Sequence, residues 1–348
     1  MIKPWFFLAT AVALTGLCLS VATPTPRDDA FTTLAASERL ALDRLSVEDL
    51  AELKLFHLDF HPPYDVLILG NSRPLPLRPV DLGMADDQMF NAALTGESLR
   101  SSVLLLEHLA QYDRLPRIAL ISWDNAELNY YGNPQWPPTA LRWIQMGRDI
   151  WAGLTRPGIT ASDLARMMLR HAATEATLLT RKLNAERVWR GLRAWGADRL
   201  GMENGLAPRT TDPMGYLADG SRPSPRIETP YRGQMLKAPN RNLLPGYVDY
   251  DLERLAALQR HGMRVIIFET MLHPDIHARA MVKPSSVAAE SRQALVDSCA
   301  RHGIECHPAP ADYAPMGELW WDDGHPPAPV LAAWITSFLS PAQGKAAQ

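Results

Sequence analysis

Short, unbroken apolar runs separated by longer stretches of helical periodicity set the frame of this chain. Val66-Leu67-Ile68-Leu69 lies between Pro62-Pro63 and Gly70. Similar runs return at Ile118-Ala119-Leu120-Ile121 and Val265-Ile266-Ile267-Phe268, with a weaker copy at Gly303-Ile304-Glu305-Cys306. A run apolar at every position fits a strand buried on both faces, as in a parallel sheet. Helical spacing fills the intervals at Leu99 to Leu109, Leu252 to His261, Val287 to Arg301 and Val330 to Leu339. Strands alternating with helices predict a doubly wound α/β sandwich.

The alternation has a lead-in and an interruption. Residues 28–63 carry an imperfect helical stripe that includes Leu42, Leu45, Leu50 and Leu53, and Pro62-Pro63 ends it. From about 130 to 242 the pattern becomes helical and then rich in Pro, Gly and Arg, which reads as one insertion. The expected layout is therefore a first α/β part over 64–129, the insertion over 130–242, a second α/β part over 243–340 and a tail over 341–348. Residues 141–200 hold eleven Lys or Arg against five Asp or Glu. Such basic helices read as a solvated face, or as a surface for an anionic glycan or a membrane.

Composition changes the picture only at the N-terminus. With 47% hydrophobic and 21% charged residues and a net charge of −3, the chain is an ordinary folded protein, and no global charge points to nucleic acid. Lys3, however, precedes an uncharged and largely apolar stretch from Pro4 to Pro26. A positive flank followed by such a run is an export signature. Residues 1–27 are expected to be a signal peptide, with Ser20-Val21-Ala22 suited to cleavage, or else a membrane anchor. Either reading sends the remainder to the periplasm or another extracytoplasmic space. There Cys299 and Cys306 could pair, and two buried free thiols are the alternative.

Two motifs carry candidate chemistry. Gly70-Asn71-Ser72-Arg73 directly follows the first strand, and in an open parallel sheet ligands bind beyond the carboxyl ends of the strands. A following helix would place the Ser72 N–H where it helps to stabilise an oxyanion. Far along the chain, Trp320-Trp321-Asp322-Asp323-Gly324-His325 precedes the final helix. A serine nucleophile needs a base, and the base needs a carboxylate to orient it. Asp322 and His325 offer that pair, with Asp323 as the other carboxylate. Each motif alone is common in plain turns.

Together, their order and placement resemble the SGNH (GDSL-like) hydrolases. Phe90-Asn91-Ala92-Ala93-Leu94-Thr95-Gly96-Glu97-Ser98 resembles the second block of that superfamily. The resemblance covers about 64–127 and 245–340. It is strongest to the exported, often membrane-anchored branch that includes alginate O-acetylation and teichoic-acid D-alanylation proteins. It implies a flavodoxin-like three-layer α/β/α sandwich with a mainly parallel sheet, here carrying the large helical insertion. It also implies a catalytic Ser72, Asp322 and His325 without cofactor or metal, and an oxyanion hole from the N–H groups of Ser72 and Gly96 and an Asn side chain. The implied chemistry is that of an esterase or O-acyltransferase acting on acyl, notably acetyl, esters of a cell-surface polysaccharide. Its partners would be that polymer, an acyl donor and a membrane-bound acyl-transfer protein.

Two departures qualify the match. The third block usually supplies an Asn to the oxyanion hole, where Ser122-Trp123-Asp124-Asn125 has Asp124. A carboxylate there would repel an oxyanion, which leaves Asn125 or backbone N–H groups to serve. Asn71 stands where the GDSL subgroup has Asp. A non-catalytic protein that binds polysaccharide or scaffolds an envelope assembly complex is the alternative reading. Arg73, Trp123, Trp320 and Trp321 are candidate substrate contacts, the aromatic rings by stacking on sugars, although core packing would also account for them. His57/His61 and His273/His277 have a spacing that metals use, without a recognisable third ligand.

Overall fold

The computed structural model describes residues 47–123, 139–182, 216, 217, 219–222, 244–273, 287–310, 320 and 324–339. Five strands, β1 (Val66–Leu69), β2 (Met89–Asn91), β3 (Ile118–Trp123), β4 (Arg264–Glu269) and β5 (Glu305–His307), form one sheet in the order β2-β1-β3-β4-β5. Every neighbouring pair is parallel. The helices are α1 (Val47–Phe60), α2 (Leu99–Gln111), α3 (Thr139–Thr155), α4 (Ala161–Lys182), α5 (Pro245–Gln259), α6 (Val287–His302) and α7 (Ala328–Leu339). The chain is thus an α/β protein with an all-parallel sheet flanked by helices, and its strand order is the flavodoxin-like one.

Alternating residues of the apolar strands build two separate cores. Leu67, Leu69, Ala119, Ile121, Val265 and Ile267 face α1, α2, α5 and α6. Val66, Ile68, Ile118, Leu120, Ile266 and Phe268 face Leu331, Ile335 and Phe338 of α7. The two-residue side-chain period of a strand separates these sets, and burial of both explains runs without polar interruptions.

The second strand, β2, is not distinguishable in the sequence pattern. It is three residues long, and Asn91 ends it with 0% exposure. Helix α5 begins seven residues before Leu252, where Pro245 occupies the first turn and its missing N–H costs no hydrogen bond. Cys299 and Cys306 are disulfide-bonded, with Cα atoms 6.2 Å apart, and so tie the end of α6 to β5. The 28–46 part of the lead-in lies outside the described residues.

The described parts of the insertion pack onto the sandwich. Helices α3 and α4 form a hairpin whose inner face meets α2 and α5 through a buried ionic network. Arg100 of α2, Asp149 of α3 and Asp251 of α5 are each 0% exposed. Arg100 bonds Asp149, and its Nε lies 3.7 Å from Asp251. His171 of α4 reaches Asp149 at 2.6 Å, and Arg254 donates to Asp251 at 2.6 Å and to both oxygens of Glu107. Arg148 pairs with Glu107, and Arg156 with Glu253 at 2.5 Å. Burial alone would raise the Glu107 carboxyl, but Arg254 and Arg148 outweigh it and hold its pKa below the usual value. Part of the basic excess of the insertion is therefore matched by acids on the core helices.

Residues 219–222 lie at the outer edge of β2, where the Asn91 N–H donates to the Asp219 carbonyl at 2.7 Å, and the Arg222 N–H donates to the Leu75 carbonyl at 2.8 Å. Gly220, at φ 78°, lies so close to the Asn91 carbonyl that no side chain would fit. This contact covers part of an otherwise open sheet edge. Among the described residues, no helix is long and apolar enough to cross a membrane.

Candidate active site

Strand β1 is second in the sheet, between β2 and β3, and ends at the point where the strand order reverses. Such a reversal opens a crevice beyond the carboxyl ends of the strands. Gly70 turns the chain there at φ 114°, a backbone conformation that L side chains rarely adopt. Space at Gly70 is also closed: a Cβ would lie 2.8 Å from the Ser122 carbonyl oxygen and closer still to its hydroxyl.

Ser72 and His325 meet at this rim. The Ser72 Oγ lies 2.8 Å from His325 Nε2, across 253 residues of sequence, and the pair is part-buried. With the imidazole proton on Nδ1, the serine hydroxyl donates to Nε2, so that the imidazole can take the proton as Oγ attacks an electrophile. Asp322, Asp323 and Trp321 lie outside the described residues, as do Asp124, Asn125 and His277.

The loop after Ser72 departs from the sequence expectation. No α-helix follows the serine. Pro74, Pro76 and Pro79 each lack an N–H and restrict the preceding residue, so the chain runs in turns to a short 3-10 helix at Pro79–Leu82. A helix dipole behind Ser72 therefore does not contribute. The loop is shaped by polar groups instead. Asn71 Oδ1 accepts the Arg73 N–H at 2.9 Å, and the Asn91 side-chain amide donates to the carbonyls of Pro74 at 2.8 Å and Leu77 at 3.0 Å.

Asn91 is held in turn by Lys54 of α1. Lys54 is 0% exposed, and its Nζ donates to the backbone carbonyls of Asn91 (2.7 Å), Ala93 (2.8 Å) and Gly220 (2.8 Å). Burial pulls its pKa well below 10.5, opposed by the Asp219 carboxylate.

Gly96 occupies the turn after β2. Its φ of 78°, with the Glu97 N–H donating to the Leu94 carbonyl at 3.3 Å, describes a type II turn, which favours glycine at that position. The Leu94 N–H donates to the Gly70 carbonyl at 3.0 Å, which fixes this turn against the start of the Ser72 loop.

The proposed substrate contacts are mostly interior. Arg73 is 7% exposed; its guanidinium donates to Thr270 Oγ1 at 3.2 Å and lies against Gly324, where a Cβ would come within 3.0 Å. Thr270 in turn donates to the Trp123 carbonyl through its hydroxyl at 3.1 Å. Trp123 and Trp320 are each 1% exposed and pack as core residues. Arg73 thus lies beneath the turn that carries His325, while Trp123 and Trp320 fill the core, and none of the three offers its surface to a sugar.

The three described members of the histidine pairs have structural partners. His57 Nε2 lies 2.9 Å from the Tyr64 hydroxyl, and its ring stacks on Phe90 at 4.8 Å. His61 Nδ1 donates to the Pro62 carbonyl at 2.7 Å. His273 is buried with its ring edge-on to Trp320. Among the described residues, no group of three or more His, Cys, Asp or Glu side chains could hold a metal ion.

Sequence reasoning did not single out Lys54, Asn91 or Thr270 as supports of this rim. Their partners are backbone groups and side chains distant in sequence, which no residue spacing encodes. The nearest signal is a lysine between Leu53 and Leu55 inside an otherwise apolar helical segment. No protein-family model, no curated protein and no solved structure matches the chain.

Proposed function

We propose that the protein is an exported serine esterase or O-acyltransferase of the SGNH type, acting on acyl esters of a cell-surface polysaccharide. The observation that carries the reading is the 2.8 Å approach of Ser72 Oγ to His325 Nε2 at the carboxyl rim of a parallel sheet. His325 takes the hydroxyl proton as Ser72 attacks the ester carbonyl. Collapse of the tetrahedral adduct breaks the ester C–O bond, and the proton passes from His325 to the departing alkoxide. The acyl-serine is then attacked by a sugar hydroxyl or by water, again with His325 as base. Asp322 is assigned by its spacing to hold His325 in the required tautomer. The N–H groups of Ser72 and Gly96 are the assigned oxyanion donors, with the Asn125 side chain as a third.

A fluorophosphonate probe tests this assignment. Wild-type protein is expected to label; Ser72→Ala is expected to lose labelling entirely, and His325→Ala to slow it by roughly two to four orders of magnitude. Labelling that survives Ser72→Ala in folded protein rejects the reading. Folded wild-type protein that neither labels nor turns over acetyl esters, yet binds glycan, establishes the scaffold alternative.

A further inference from the structure

Helix α3 is amphipathic in the reverse sense for a surface helix. Its inward face carries buried polar groups: Gln145 and Asp149 are 0% exposed, beside the small Ala152. Its outward face is apolar: Trp143 is 53% exposed, Ile144 51%, Trp151 69% and Leu154 70%. At 3.6 residues per turn, these four side chains and Gly147 fall within an arc of about 100° that holds no charged residue. The neighbouring helix continues the surface, with Leu169 72% exposed and Ala165, Ala172 and Ala176 also exposed. Of the eight large hydrophobic side chains exposed among the described residues, five therefore belong to this one hairpin.

The ionic network explains how the hairpin can keep this orientation. Arg100, Gln145, Asp149 and His171 hold the polar side inward, so the apolar side cannot be buried by rotating the helix without stranding buried charges. Exposed apolar patches of this kind mark interaction sites.

We propose that the α3–α4 face docks into the interfacial layer of a lipid bilayer. Two tryptophans with Ile and Leu on one face suit that layer, where aromatic rings meet both acyl chains and headgroups. Arg166, exposed on α4 beside Leu169, favours an anionic headgroup, whereas Arg148 and Arg156 are taken up by Glu107 and Glu253. The sequence also carries the uncharged, largely apolar stretch from Pro4 to Pro26, and wherever that stretch serves as an anchor, residues 27–46 span at most about 70 Å fully extended and keep the described body close to the bilayer. The proposal is independent of the chemistry at Ser72.

The test uses the full chain in phosphatidylcholine–phosphatidylglycerol vesicles. In a Cys18→Ser background, with Cys299 and Cys306 left disulfide-bonded, single cysteines at Trp151→Cys, Leu154→Cys and Leu169→Cys are labelled with an environment-sensitive fluorophore. Val80→Cys, 62% exposed beside the opposite layer, is the reference for mere proximity to the vesicle. Lipid-borne nitroxides are expected to quench the three hairpin probes several-fold more than the Val80 probe, and their emission should shift to the blue. Adding Trp143→Gln, Ile144→Gln and Trp151→Gln should return the Leu169 probe to the Val80 level. Equal quenching at all four positions overturns the proposal. So does quenching-free blue shift at the hairpin with light scattering of a dimer, which would assign the face to a second copy of this chain.

Discussion

The Lys54 ammonium donates to the Asn91 backbone carbonyl at 2.7 Å, while the Asn91 side chain donates to Pro74 two residues beyond Ser72. A buried cation on α1 thereby supports the loop that presents the serine. Asn91→Ala removes the side-chain donor to the Leu77 carbonyl and the acceptor of the Ala93 N–H, while the Pro74 carbonyl keeps only the Leu77 N–H. A loss of about 2–4 kcal/mol in urea unfolding is expected, one to two such groups at typical cost. Labelling of Ser72 by the fluorophosphonate should slow in the fraction that stays folded. Lys54→Met should be worse, since three carbonyls then lose their donor. An Asn91→Ala protein with wild-type stability and labelling would contradict this support.

The pH dependence of stability should bear the mark of His57. Burial, assisted by the neighbouring His61, lowers its pKa from 6.5 to about 4 in the folded protein. The unfolded chain takes up this proton near pH 6.5 and the folded chain only near 4, so protons favour unfolding across that window. Stability from the neutral ring is complete above pH 6.5 and is lost as pH falls toward 4. His57→Gln should flatten this part of a plot of unfolding midpoint against pH, and an unchanged slope would refute the assignment.

Asp149 is the shared partner of Arg100, Gln145 and His171 at the root of the hairpin. Asp149→Ala leaves Arg100 buried with a weakened counter-charge, at a cost of about 3–5 kcal/mol. Hydrogen exchange should rise first in α3 and α4 and reach the sheet later. Uniform acceleration across the whole sandwich would show that the hairpin is not a separately docked unit.

Gly70→Ala should damage both fold and site, because the new Cβ meets the Ser122 carbonyl oxygen and the backbone stands at φ 114°. Ser122→Ala should not rescue it, since the carbonyl remains. Thermal unfolding and probe labelling of the single and double variants check this, and full rescue would place the conflict at the Ser122 hydroxyl alone.

The sheet was legible where burial on both faces removes polar residues, as in Val66–Leu69 and Val265-Ile266-Ile267-Phe268. It was not legible at Met89–Asn91, where three residues carry too little pattern and a buried amide interrupts it. Ser72 and His325 could be picked out because a strand terminus and the start of the last helix are local signals. The interior positions of Arg73, Trp123 and Trp320 could not, because a side chain long or large enough to reach a ligand is equally able to turn inward. The polarity of α3 misleads in the same way: Arg148 and Asp149 suggest a wet face, whereas their partners Glu107 and Arg100 lie on α2.

The strip from Tyr216 to Arg222 makes the long middle region more than an accessory. It supplies one of the three oxygens around Lys54 and occupies a main-chain N–H at the margin of β2. Splicing out residues 130–242 to obtain a minimal α/β body would bare that margin to other chains and leave an amine donor unsatisfied in the interior. The shortened protein should aggregate, and any trimming has to end before this strip begins.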